Sequence, residues 1–105
     1  MRLRLSLALL LAASHSSFAA SAGDPEKGRA LAERWCSSCH VVAPDQASAT
    51  TEAPPFETIA TRPVHDLEKL RAFLAAPHAP MPPLDLSRTE IGDLYAYIES
   101  LRPSE

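Results

Sequence analysis

The sequence predicts an all-α fold of three to four short helices joined by proline-rich loops. Three observations predict it. Apolar residues recur at helical spacing in two separate stretches, Leu67–Leu70–Leu74 and Ile91–Leu94–Ile98–Leu101. Helix-start signals precede the candidate helices: Asp24-Pro25, Asp66, and Ser87 followed three residues later by Glu90. Ten prolines against three glycines favour stiff connections and leave little room for a sheet.

The first 22 residues read as a targeting segment. Arg2 and Arg4 form a basic start, Leu5 to Ala13 is a short apolar run, and Ala20-Ser21-Ala22 fits the small-x-small cleavage rule, with Ser17-Phe18-Ala19 as the alternative. The run is about half the ~20 residues a membrane span needs, so no stable membrane anchor is expected. We therefore expect residues 1–22 to be a cleaved signal peptide and residues 23–105 to be one domain, exported to the periplasm. Taking Arg2 and Arg4 from the 10 basic residues leaves 8 against 13 acidic ones, a net charge of −5 with His neutral. That balance disfavours nucleic acid and favours protein partners with a basic docking patch. A domain of about 83 residues has a thin core by itself.

Asp24 caps the first helix and Pro25 suits its first position. This helix is expected from Pro25 to about Cys36, with Leu31 and Trp35 on one face and Gly28 and Ala32 on a second, small-residue stripe. Gly28 inside a helix costs about 1 kcal/mol relative to Ala. Its presence points to another helix crossing closely there.

The helix delivers Cys36-Ser37-Ser38-Cys39-His40, the attachment signal of a c-type haem. Each thiol can add across one haem vinyl group, and one turn of chain between the cysteines spans the two vinyls. His40 then lies under the iron and can ligate it. Other uses of the pair fit less well. Structural zinc needs four ligands, and no third cysteine exists. A thioredoxin-like dithiol needs a strand–helix setting and has no use for His40. A plain structural disulfide, which an oxidising compartment permits, is a minor alternative.

Val41 to Ala53 reads as loop, followed by Pro54-Pro55-Phe56. A carbonyl of Pro54 or Pro55 can accept the ring N–H of His40, orienting the imidazole and raising its basicity. Phe56 and Ile59 are expected in a short helical turn packed on the haem. Asp66 caps the next helix, which presents Leu67, Leu70 and Leu74 with Phe73 beside them and ends at Pro77. Trp35, Phe56, Leu70 and Phe73 are the expected haem-packing side chains. Pro77-His78-Ala79-Pro80-Met81-Pro82-Pro83 cannot be helix or central strand. Such a strap can hold Met81 over the second face of the iron, where a thioether raises the potential. His78 and His65 are the rival ligands, and a solvated surface position is the ordinary fate of either. Ser87 and Glu90 form a capping box for a last helix from Arg88 to about Leu101, flanked by Tyr95 and Tyr97.

With these elements in place, the region after the leader resembles a class I cytochrome c of the small bacterial type. The resemblance rests on Gly28 eight residues before Cys36, the Cys36–His40 motif, Pro80-Met81-Pro82 about forty residues on, and Asp93-Leu94-Tyr95-Ala96-Tyr97-Ile98 in the last helix. It implies that the first and last helices cross near-perpendicularly, with Gly28 against Leu94 and Tyr97. The family's proximal-His carbonyl falls on Pro54 or Pro55. The position four residues before the first cysteine, often aromatic in the family, is Ala32 here. The lysine-rich docking face of mitochondrial relatives is missing.

The resemblance implies one covalent haem c, with Cys36 and Cys39 as attachment points and His40 and Met81 as axial ligands. It also implies a single-electron carrier rather than an enzyme, acting with redox partner proteins as a monomer or as a subunit of a redox complex. The alternatives are a haem subunit of a periplasmic dehydrogenase or oxidase, and a gas-binding haem sensor, which needs an open sixth position.

Overall fold

A computed structural model describes residues 23–104 apart from Thr51, Val64 and His78. The expected signal peptide and the His78 alternative therefore lie outside the described residues. Among those residues there are four helices and no strand: α1 (Pro25–Trp35), α2 (Phe56–Ala60), α3 (Leu67–Ala75) and α4 (Arg88–Ser100).

Each helix starts where local chemistry starts it. The Asp24 carboxylate accepts from the backbone N–H of Glu26 at 2.9 Å, with Pro25 in the first turn. Asp66 accepts from Lys69 N–H at 2.8 Å. The Ser87–Glu90 box is reciprocal: Glu90 N–H donates to Ser87 Oγ at 3.1 Å, and Ser87 N–H donates to Glu90 Oε2 at 2.7 Å. These contacts satisfy N–H groups that a helix start leaves without internal partners.

The hub is α4, on which α1, α2 and α3 all pack. The core is small: Ala32, Cys36, Val42, Ala43, Phe56, Ala60, Leu74, Leu94, Tyr97 and Ile98. Leu70, Met81, Leu86, Ile91 and Leu101 pack against it from partly buried positions.

The buried face of α1 is the small-residue stripe, Gly28 and Ala32, rather than the Leu31–Trp35 face. Trp35 is 49% exposed, with the Arg34 guanidinium 4.8 Å from its ring centroid. The reason is the closeness of α4. A Cβ on Gly28 would collide with the backbone carbonyl of Asp93 and lie 2.7 Å from Tyr97 Cβ. The atoms nearest to a methyl on Gly28 thus belong to Asp93 and to Tyr97, the latter as the family resemblance implied. Gly23 meets the backbone of Gly92 as closely. Between these two approaches the buried Asp93 side chain accepts from Asp24 N–H at 2.8 Å, tying the start of α1 to α4.

Gly28→Ala gains about 1 kcal/mol of helix propensity but forces a methyl into a backbone carbonyl, which cannot rotate away. Overpacking of this kind costs about 3 kcal/mol. The net loss should lower the midpoint of thermal unfolding on the order of 10 °C. A calorimetric scan of the variant checks this.

His65 departs from the expected surface position. Its side chain is only 3% exposed and lies 3.4 Å from Glu99 Oε1. The ring stacks on Tyr95 at 4.9 Å between centroids. Burial holds the imidazole below its ordinary value, with Glu99 and Asp66 opposing and Arg102 reinforcing the shift. Below pH about 6.5 an unfolded His65 takes up a proton that the folded one refuses. Stability is therefore present above that pH and lost as pH falls through it toward the lower folded value. His65→Phe keeps the ring stack and removes the titration. The thermal midpoint of wild type should fall more between pH 7.5 and 5.5 than that of the variant.

Candidate haem-binding site

The site is built from the end of α1 and the loop that follows. Cys36 is the C-cap of α1, and its N–H bonds the carbonyl of Ala32. The chain then makes one more turn: Cys39 N–H and His40 N–H both bond the carbonyl of Cys36, at 3.2 and 2.8 Å. Ser37 Oγ donates to the carbonyl of Glu33 at 2.5 Å, stitching that turn to the helix. The two thiols are thus presented one turn apart on a backbone continuous with α1, and no disulfide joins them. Cys36 is buried, which pushes its thiol up to about 11, the neighbouring Cys39 adding to the shift. It is a neutral thiol at physiological pH.

His40 is oriented by the segment leading into α2. Its Nδ1 lies 2.7 Å from the carbonyl oxygen of Pro54. A carbonyl only accepts, so Nδ1 carries a proton toward it, and Nε2 is the ring nitrogen left to offer a lone pair. Of the two prolines, Pro54 is the one at the ring. Pro55 is the N-cap of α2, and its carbonyl takes Ile59 N–H. Phe56, buried at the start of α2, sits against the imidazole at 5.4 Å between centroids, tilted 59°. Phe56 N–H bonds the carbonyl of Val41, which fixes the distance between motif and proline segment.

The other residues expected around a haem fall into two groups. Leu70 and Met81 pack against the core from partly buried positions. Trp35 and Phe73 do not enter the core; Phe73 is 42% exposed. A core made largely of alanines and medium aliphatics, beside two exposed aromatics, fits a large apolar group that the chain does not itself supply. The donor set fits a c-type haem in particular: two thiols in register, an imidazole whose Nδ1 is engaged and whose Nε2 is left over, and a proline-flanked thioether.

Three contacts of the site are not readable from the local sequence. Tyr97 donates its hydroxyl to the carbonyl of Val42 at 2.5 Å, anchoring the loop after the motif to α4. Thr50 N–H bonds the carbonyl of Ser38 at 2.9 Å, and the Thr50 hydroxyl donates to the same oxygen. Gln46 places its amide among four backbone groups of the loop. Each bridges positions that only the folded chain brings together.

The chain is 53% identical over 97 residues to cytochrome c-552 of Bradyrhizobium diazoefficiens, an alignment covering 92% of this chain and 93% of that protein. No family model matches the chain, and no solved structure matches it.

Proposed function

The chain belongs to the class I cytochromes c, and on that premise we propose that it is a periplasmic single-electron carrier with His40 and Met81 as axial ligands. One covalent haem c, an iron cofactor for electron transport, comes with the family. Cys36 and Cys39 are its attachment points in this reading, which also makes residues 1–22 the cleaved export signal.

Haem c supplies an iron that takes up and releases one electron. The chain's own residues set the conditions. Cys36 and Cys39 hold the group at the end of α1. His40 contributes Nε2, with the Pro54 carbonyl fixing the tautomer and making the ring more basic. Met81 contributes a thioether, which favours the reduced metal. With His40 and Met81 both engaged by the group, the chain would offer a substrate no place to bind, and no side chain need act as acid, base or nucleophile. Redox partners would approach where Cys36 and Cys39 hold the group, and the net negative charge of the domain suits a basic docking patch.

The observation that carries this reading is the Pro54–His40 contact. It leaves the imidazole with one available lone pair, beside two thiols in attachment register. The test is an optically monitored redox titration. A single one-electron wave, low-spin spectra in both states and no uptake of carbon monoxide are expected. High-spin iron or rapid carbon monoxide binding would favour the gas-sensor alternative.

A further inference from the structure

We infer that Gln46 is the positioning residue of the attachment segment, its one side chain holding the backbone around His40 in the shape the haem requires. The inference rests on His40 being an iron ligand. Gln46 is the sole glutamine of the sequence, which has no asparagine. Its Oε1 accepts from Val42 N–H at 2.9 Å. Its Nε2 faces the carbonyls of Ser37 at 2.9 Å, His40 at 3.0 Å and Ser48 at 3.1 Å. Only this orientation of the amide is chemically consistent, because the reverse would set oxygen against three carbonyls. Two N–H groups shared among three acceptors leave no donor to spare.

The partners are not arbitrary. Ser37 lies between the cysteines, His40 is the axial residue, and Val42 is the loop residue that Tyr97 anchors to α4. Gln46 thereby adds a hold on the His40 carbonyl to the bond of its N–H to Cys36 and of its ring to Pro54. A ring held at one end only can pivot about its backbone. Held at both, it presents Nε2 in one direction. Gln46 itself is set by a tight turn, its N–H bonding the carbonyl of Ala43 at 3.1 Å. Sequence reading passes over it because a lone glutamine in a polar loop looks like any solvated side chain.

The test uses the intact haem-bearing protein and nuclear magnetic resonance. In wild type, the Gln46 side-chain amide gives the chain's one such signal. Its protons should exchange with solvent at least ~10-fold more slowly than those of a free glutamine. Gln46→Met keeps the length of the side chain and removes every hydrogen bond of its amide. The iron-shifted ring resonances of His40 should move and Val42 N–H should exchange at least ~10-fold faster, while the resonances of Met81 stay in place. Freely exchanging Gln46 protons in wild type would overturn the proposal without recourse to a variant. So would a Gln46→Met protein that loses stability while its His40 resonances stay unmoved, since that is the mark of a merely structural contact. A wild-type spectrum with no iron-shifted His40 signals would instead defeat the ligand reading, and this inference with it.

Discussion

Replacing His40 by alanine should leave almost no stable haem-bearing protein, even in cells competent to attach haem c. Removing a group that merely orients a metal ligand typically costs 10–100-fold in metal affinity or activity. Removing the ligand should cost at least as much, so the yield of low-spin holoprotein should fall more than ~10-fold. The loss goes beyond the iron. The Pro54 carbonyl loses its partner, and Phe56 loses the ring it packs against. A core of ten buried apolar residues, three of them alanines, has little reserve to absorb this. The yield and spin state of the purified variant check the prediction. Normal haem incorporation with an unchanged spectrum would refute the assignment of His40.

Met81→Ala should act in a different way. His40 and both cysteines remain, so the haem should still be attached. On the proposed ligation, the iron would lose the thioether that favours its reduced form. The midpoint potential should therefore fall on the order of 0.1 V, a modest part of the roughly 0.8 V that axial ligands span. The opened position should also admit carbon monoxide. Met81 is partly buried against the core, so truncation also removes packing. A loss of stability with potential and ligand binding unchanged would make Met81 a packing residue. The two outcomes are separable in one spectroelectrochemical experiment.

Much of this architecture is legible in the sequence because its signals are local. Asp24, Asp66 and Ser87 each bond an N–H within three residues, and the helices begin where those residues stand. The Cys36–His40 motif is likewise confined to one turn. What escapes sequence reading depends on partners far along the chain. The close crossing at Gly28 is itself legible, because a glycine inside a helix marks it; that the backbone it meets is that of Asp93 is not. Asp93 itself bonds Asp24 across 69 positions, and Tyr97 reaches Val42 across 55. His65 reads as a surface histidine until Tyr95 and Glu99, a whole helix away, close over it. Pro54 and Pro55 are alike in sequence; their roles separate only because α2 begins at Phe56 and takes the Pro55 carbonyl for its own first turn.

The central claim is that Cys36, Cys39 and His40 together hold one haem by bonds that survive unfolding. Peptide mass spectrometry of the purified, denatured protein tests it most directly. The peptide containing Cys36 to His40 should be heavier by one haem and should offer no thiol to an alkylating agent. A colourless protein, with that peptide at its bare mass and both cysteines alkylated, would contradict the account.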